Sequence, residues 1–416
     1  MMDRAILHCD MNNFYASVEC ALDPSIKDSP VAVCGSESER HGIVLARNYK
    51  ARDKGVVVGD TIWKARNKCE NLVVVDTPHF DKYLEYSEKA FKIYERYTDY
   101  IEPMGIDECW LDVTNSTTLF GTPKKIADEL RSIIKKELNV TISVGVSFNK
   151  TFAKLGSDLK KPDATTIISR DNFKEIVWPL PVSALFGVGR NTYKVLKKYY
   201  IETVGDLAKE KKERLQYLLG KNGVFLYNVA NGLEDEEVAK SDLKDNPKSV
   251  SHGITTVKDL NSDEEVWKTM LNLTQEISWK LRKYKLRAGG VSVSIRDSKL
   301  MWHQWQKKLK STEQSAVNIA KIAYNIFIDS YDWANPVRNV TISTMYLTSD
   351  DSPVEMTIFD DFDKKLKVEK IESVMEKLNN KYGSEVRTLA TLLEENYLPE
   401  SRRRVKYSEK KNDDNN

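Results

Sequence analysis

A short apolar run over residues 5–9 stops at Asp10, which predicts a buried strand with a carboxylate at its C-terminal end. The period then changes. Phe14, Val18 and Leu22 share one helical face, and Asp23-Pro24 closes that helix. Residues 31–34 read as a second strand stopped by Gly35, and residues 43–75 as a mixed stretch broken by Gly55 and Gly59. Helical spacing returns over 83–97. Residues 100–102 and 109–113 predict two strands joined through Gly105-Ile106-Asp107-Glu108 as a hairpin. Pro123 opens the next helix, since proline is tolerated in a first turn, and Ile126, Leu130, Ile133, Ile134 and Leu138 make its apolar stripe. A β-branched strand over 140–146 follows, then a short helix over 152–159 ended by Lys160-Lys161-Pro162. Strand, helix, hairpin, helix, strand is the order of a small α+β sheet with helices on one face.

A second unit begins near Phe173. Gly187-Val188-Gly189 leads into a helix over 192–198, and the pattern over 182–207 predicts two helices joined by a Gly-x-Gly hairpin. Residues 234–247 are acidic, poor in apolar side chains, and read as a linker. A third unit, another α+β domain, has strands predicted over 249–256, 290–295 and 337–347 and helices over 264–284 and 312–327. The tail from Ser349 carries one helical pattern, 365–382, before a polar low-complexity end.

Composition narrows the class. At roughly 100–200 residues per domain, a chain of 416 residues predicts three or four domains. With 41% hydrophobic and 30% charged residues, buried cores are available and global disorder is excluded. No apolar stretch approaches the roughly 20 residues needed to span a bilayer. The N-terminus lacks the apolar core of a signal peptide, so a cytoplasmic protein without membrane association is expected. The five cysteines form no CxxC pair and read as reduced, core side chains. A net charge of +2 does not announce a nucleic-acid binder, and each basic cluster, such as Lys160-Lys161 or Lys307-Lys308, reads alone as a solvated face.

The carboxylates change the picture. Asp10 at one strand end and Asp107-Glu108 at a hairpin can together hold two divalent cations about 3.5–4 Å apart, the arrangement that drives in-line displacement at phosphorus. Taken singly, Asp10 could be a helix N-cap and Asp107-Glu108 a polar turn. Their surroundings carry a resemblance. Residues 8–19, His-Cys-Asp-Met-Asn-Asn-Phe-Tyr-Ala-Ser-Val-Glu, resemble the first motif of the Y-family lesion-bypass DNA polymerases. Residues 106–113 resemble their second acidic motif, and Asn48-Tyr49-Lys50-Ala51-Arg52 their fingers motif. Residues 145–154 with Lys161-Pro162 resemble the palm helix and its triphosphate lysine. These five motifs stand in the family's order and spacing, and the resemblance continues through the helix–hairpin–helix and the C-terminal domain to about residue 350.

The resemblance implies a multidomain α+β, right-hand polymerase. Its parts are a ferredoxin-like palm (1–10 and 77–166), small fingers (11–76), a helix–hairpin–helix thumb (167–233), a linker (234–247), an α+β little finger (248–349) and a tail (350–416). It implies that Asp10, Asp107 and Glu108 are catalytic and, with the Met11 carbonyl, hold two Mg2+ ions, for which Mn2+ can substitute. Tyr49, Arg52 and Lys161 bind the triphosphate, and Tyr15 is the steric gate against a 2′-hydroxyl, with Phe14 its buried neighbour. Gly187, Val188, Gly189 and Arg296 contact DNA, and Arg282, Lys283, Lys285, Arg287 and Lys299 are further candidates. The implied activity is template-directed, low-fidelity translesion synthesis by a monomer that uses primer-template DNA and deoxynucleoside triphosphates. Glu355-Met356-Thr357-Ile358-Phe359 resembles a sliding-clamp peptide without its leading glutamine, with Ile358 and Phe359 as the anchors. Two departures stand out: Gly105 where the family usually has serine, and Asp60-Thr61 where an apolar-proline pair is usual. A nucleotidyl cyclase shares a two-metal palm but has no need of duplex grips. A non-catalytic DNA- or clamp-binding factor would not retain Asp10, Asp107, Glu108, Arg52 and Lys161 together.

Overall fold

The structure, a computed structural model, describes residues 3–36, 42–76, 78–241, 247–352 and 362–382. The chain divides into two units, Met1–Gly35 with Ile43–Lys244 and Ser36–Gly42 with Asp245–Asn416. The first runs β1 (Ile6–Met11), α1 (Phe14–Leu22), β2 (Val31–Cys34), β3 (Val44–Arg47), α2 (Tyr49–Asp53), α3 (Ile62–Lys68) and β4 (Val73–Val75). It continues α4 (Phe80–Tyr94), β5 (Ile101–Pro103), β6 (Glu108–Asp112), α5 (Thr117–Phe120), α6 (Pro123–Leu138), β7 (Ile142–Ser147), α7 (Lys150–Leu159) and β8 (Thr165–Ile168). Five helices close it: α8 (Phe173–Val177), α9 (Arg190–Lys198), α10 (Val204–Lys209), α11 (Lys212–Leu219) and α12 (Lys221–Ala230).

The main sheet has the order β5-β6-β1-β7-β8. All six residues of β1 are buried, which is why its sequence is apolar without alternation. Leu7, Cys9 and Met11 pack with Ile126, Leu130 and Ile134 of α6 and Tyr94 of α4. Ile6 instead packs with Ala153 of α7 and Trp110. Helices therefore cover both faces of this sheet, not one as the element order suggested. Gly145 permits the second layer: a Cβ there would lie 1.8 Å from the Ala153 carbonyl oxygen, so α7 rests directly on the backbone of β7. Strand β8, parallel to β7, was not anticipated. It is four residues long, too short to declare a period.

The small sheet, β3-β2-β4, encloses its own core of Ala32, Cys34, Val44, Ala51, Val56, Ile62, Ala65 and Cys69. Helices α8 to α12 share a third core. Residues 234–241 do not behave as a free linker. Val238 is buried with Ile6, Trp110 and Ala153. The Ala239 N–H donates to Glu102 Oε2 at 3.0 Å and the Ser241 N–H to the Asp99 carbonyl at 3.0 Å. Glu236 also pairs with Lys150 at 3.0 Å and Glu234 accepts the Thr151 N–H at 3.2 Å, so one valine, backbone hydrogen bonds and the acidic side chains themselves hold this strap.

The second unit runs β9 (Ser249–Leu260), α13 (Asp263–Lys283), β10 (Leu286–Asp297), β11 (Trp302–Glu313), α14 (Ala316–Ser330), β12 (Val337–Ser349) and α15 (Phe362–Tyr382). Its antiparallel sheet has the order β11-β10-β12-β9, with α13 and α14 sharing its core. Strand β11 was not expected, and the helix expected from Thr312 begins at Ala316. β11 is an edge strand with half of its residues exposed and one buried, so its sequence shows little apolar alternation.

Candidate active site

β1 and β6 run antiparallel with Asp10 opposite Glu108. Asp107 precedes Glu108 in the β5–β6 turn, and its carbonyl accepts the Met11 N–H at 3.0 Å, pinning that turn to the end of β1. The two acidic positions, far apart in sequence, thus meet at one end of the sheet. Gly105 in this turn has φ 112°, a conformation strained for any side chain. The glycine suits the conformation this turn takes here.

Each paired carboxylate faces a lysine. Lys161 Nζ lies 2.6 Å from Asp10 and 2.9 Å from Asp158, and Lys154 Nζ lies 2.5 Å from Glu108. Burial dominates Asp10 and pushes it up to about 6, against the pull of Lys161. Burial and the neighbouring Glu108 raise Asp107 as well. Burial alone would raise Glu108, but hydrogen bonds from His8 and Lys154 outweigh it and hold it at about 2. Lys154 is the firmer of these partners. The His8 Nε2 contact of 3.4 Å is too long for a good hydrogen bond, and burial keeps the imidazole neutral while its Nδ1 meets Ser157 Oγ at 2.9 Å.

Among the described residues, no three Asp, Glu, His or Cys side chains converge closely enough to hold a metal ion as they stand. Lysines occupy the positions on Asp10 and Glu108 that a cation would take. The donor set is nevertheless all oxygen, partly buried and short of positive charge, which suits a hard divalent cation.

Around this end of the sheet stand the other predicted residues. Asn48 caps α2 by accepting the Ala51 N–H at 3.0 Å, and it also accepts the Val31 N–H at 3.0 Å, which fixes the helix that carries Tyr49 and Arg52. The Arg52 guanidinium lies 5.9 Å from the centre of the Tyr49 ring. Burial raises the Tyr49 phenol, Lys161 and Arg52 pull it down, and Asp10 raises it, so this tyrosine stands within the field of all three. Tyr15 is half-buried and stacks on Tyr83 at 4.3 Å with 16° between planes. Burial raises its phenol, and so does Asp107, which places the ring beside the acidic turn. Phe14 is buried in the core.

Sequence reasoning missed the support beneath Tyr15. Tyr83 donates to the buried Glu19 at 2.5 Å, and His79 Nδ1 lies 3.0 Å from the same carboxylate. Tyr83 has the same spacing as the core aromatics of α4, so nothing in the sequence set it apart. His8 and Asp158 were also missed. His8 sits inside an apolar strand, and Asp158 reads as one more polar residue on a helix.

The predicted DNA contacts fare unevenly. Gly187 has φ 91° and needs glycine, whereas Gly189 is the N-cap of α9 with open space at its Cβ position. The Val188 side chain is buried in the helical core, so only the backbone of this turn can face a ligand. Arg296 Nε donates to the Leu300 carbonyl at 3.1 Å, and its guanidinium lies 5.7 Å from the Trp302 ring centre. Lys283, Lys285 and Lys299 are exposed. Arg282 and Arg287 are not free for phosphate. Arg282 pairs with Glu376 at 2.6 Å and Glu372 at 3.4 Å, and the buried Arg287 pairs with Glu369 at 2.6 Å and Asp350 at 3.0 Å. Ile358 and Phe359 lie outside the described residues. No helix among the described residues is long and apolar enough to cross a membrane.

Comparison with known proteins identifies the family. Residues 9–158 match the model of the impB/mucB/samB family, and residues 247–358 match its C-terminal domain. The chain is 45% identical to DNA polymerase IV of Acetivibrio thermocellus over 382 residues, which covers 92% of this chain and 96% of that one. It is 36% identical to DNA polymerase IV 1 of Bacillus subtilis, covering 94% of each. A solved Y-family DNA polymerase chimera of Dbh and Dpo4 shares the fold with a TM-score of 0.74 at 23% identity, covering 83% of this chain and 99% of that one. The chain belongs to the impB/mucB/samB family, as a relative of the bacterial DNA polymerase IV proteins.

Proposed function

We propose a residue-level account of the activity that this membership brings, DNA-directed DNA synthesis of the translesion kind. The observation that supports it most is Asp10 facing Glu108 across β1 and β6, with Lys161, Tyr49 and Arg52 beside them. Asp10, Asp107, Glu108 and the Met11 carbonyl are the groups to hold two divalent cations, magnesium by preference with manganese able to substitute. When bound, such a pair activates the primer hydroxyl and neutralises charge on the phosphate under attack. Lys161 leaves Asp10 and meets the triphosphate as a point charge, while Arg52 clamps it bidentately and Tyr49 donates its hydroxyl. Tyr15, backed by Tyr83, closes the space that a 2′-hydroxyl would need.

In this account the main sheet is the palm, the small sheet with α1 to α3 the fingers, helices α8 to α12 the thumb, and the unit from 248 the little finger. Exposed amides at Gly187 and Gly189 and the Arg296 guanidinium meet the DNA backbone without reading sequence. The protein acts in the cytoplasm as a monomer that docks on a sliding clamp through Ile358 and Phe359. Removal of residues 355–359 is expected to abolish clamp stimulation and spare basal synthesis.

The direct test is primer extension on a templated hairpin with magnesium and single deoxynucleotides. Template-matched addition by the wild type, lost in Asp107→Ala, is the expected result. A folded wild type that adds nothing, even with manganese and clamp present, would overturn the account.

A further inference from the structure

His8 stands in the middle of β1, fully buried, in register with Trp110 on β6 and Gly145 on β7. Strand alternation puts its side chain on the face shared by Ile6 and Asp10, the face that α7 covers. An apolar side chain would fill this place without leaving a polar atom to satisfy. The imidazole instead sits edge-on to the Trp110 ring, 5.3 Å between centres, with its two nitrogens unequally placed. Nδ1 lies 2.9 Å from Ser157 Oγ. Nε2 is fully buried, has no hydrogen-bond partner among the described residues, and lies 3.4 Å from Glu108 Oε2.

Counting hydrogens selects one arrangement. Burial keeps the ring neutral, so a single nitrogen carries hydrogen. With hydrogen on Nδ1, that group donates to Ser157 Oγ, and Nε2 presents a bare lone pair to a carboxylate oxygen. With hydrogen on Nε2, the ring presents a donor to Glu108 and Nδ1 accepts the Ser157 hydroxyl. The second arrangement takes that hydroxyl from the Lys154 carbonyl, 2.7 Å away, but this carbonyl lies inside α7 and keeps its helical partner four residues on. What separates Nε2 from Glu108 is then only the difference between 3.4 Å and the roughly 3 Å of a good N–H···O bond. Lys154 Nζ already holds the same Oε2 at 2.5 Å. The two donors differ in kind. Lys154 ends a flexible stem and can swing away, whereas the imidazole is fixed on the central strand between Trp110 and α7.

We infer that His8 is a positioning residue for Glu108: its Nε2–H closes on Oε2 when a divalent cation takes the place of Lys154, and Ser157 fixes the tautomer through Nδ1. The ring stays neutral throughout. This rests on the reading of Glu108 as a group that holds such a cation. A carboxylate that loses its lysine needs a second, rigid partner if its other oxygen is to stay aimed at the ion.

The test counts free Mn2+ by electron paramagnetic resonance, which gives the affinity of the chain for that ion without nucleotide, DNA or turnover. His8→Phe keeps a ring and loses both nitrogens, and should bind Mn2+ about ten- to a hundredfold more weakly than the wild type, the usual cost of losing a partner behind a metal ligand. His8→Gln, whose amide N–H can reach the place of Nε2, should recover part of the loss, which a purely structural role would not produce. Ser157→Ala should lose less than His8→Phe, since the donor remains and only its tautomer is released. In Mg2+-saturated protein carrying 15N-histidine, the His8 ring signals, identified by their absence in His8→Gln, should show hydrogen on Nε2. Wild-type Mn2+ affinity in His8→Phe overturns the inference, and so does hydrogen on Nδ1. Should His8→Phe lose its cooperative melt, the tautomer in the wild type and the affinity of Ser157→Ala decide in its place. Glu108→Gln keeps the two readings apart: an Mn2+ affinity that it leaves unchanged overturns Glu108 as a cation ligand, whatever His8 does.

Discussion

Two charged clusters in this molecule hold the same inventory and use it differently. At the end of the main sheet, Lys154 and Lys161 face Asp10, Asp107, Glu108 and Asp158. Where α15 docks on the second unit, Arg282 and Arg287 face Asp350, Glu369, Glu372 and Glu376. In the docked helix every carboxylate has a firm donor. Glu372 also accepts Ser315 Oγ at 2.8 Å and the Ala316 and Val317 N–H groups at 3.0 and 3.3 Å, so it caps α14 as well as holding Arg282. In the main-sheet cluster Asp107 makes no ion pair among the described residues, Lys154 and Lys161 act on it only from beyond contact, and burial leaves Asp10 and Asp107 reluctant to ionise. A satisfied cluster fastens a helix. An unsatisfied one stores a demand for positive charge that a ligand can meet.

The sharpest way to break the comparison is to neutralise one member of each cluster. Asp10→Asn should cost at least about a thousandfold in templated addition if, as proposed, Asp10 is one of the groups that hold the divalent cations. Its melting temperature should hold or rise, because the buried charge is gone and Lys161 keeps Asp158. Insertion kinetics and a melt on the same preparation check both halves. A variant that melts well below the wild type would put Asp10 with the structural charges.

Tyr15→Ala comes next. Opening the space beside Asp107 should relax discrimination against ribonucleotides by about a hundredfold, read as the ratio of kcat/KM for matched deoxy- and ribonucleotides. Tyr83→Phe keeps the stacked ring and loses only the bond to Glu19, so it should move the ratio far less. If Tyr15→Ala leaves the ratio unchanged, the gate lies elsewhere.

Glu372→Ala should do the reverse of Asp10→Asn. It strips α14 of a capping carboxylate and Arg282 of one partner, at about 1–3 kcal/mol. Calorimetry should show the second unit melting several degrees lower while single-nucleotide insertion stays near wild type. A large loss of insertion without a change in melting would mean that α15 serves the chemistry.

These contrasts also show what the sequence could and could not disclose. The acidic end of the main sheet was legible because an apolar strand stopping at Asp10 and a turn holding Asp107-Glu108 are local patterns, and antiparallel pairing of adjacent strands brings them together. The second helical layer on that sheet was not, since it depends on Gly145 admitting α7 against bare backbone. Arg282 and Arg287 looked like DNA contacts because their partners lie far along the chain, and no spacing rule joins residue 287 to residue 369.

The smallest expected effect concerns a cation between these extremes. Arg296 is half-buried, bonded through Nε to the Leu300 carbonyl and set near the face of Trp302, and among the described residues no carboxylate pairs with the outer nitrogens of its fork. If those nitrogens meet one DNA phosphate, Arg296→Ala should weaken primer-template binding a few-fold and equally across sequences, because backbone contacts carry no base information. The slope of log affinity against log salt should fall by about 1. Arg282→Ala supplies the contrast, since its guanidinium is already held by Glu372 and Glu376: the salt slope should not change while the melt of the second unit falls. Fluorescence anisotropy with a labelled hairpin over a salt series reads both variants. An unchanged slope in Arg296→Ala would place that arginine with the structural cations, and a reduced slope in Arg282→Ala would show that DNA can draw α15 away from the second unit.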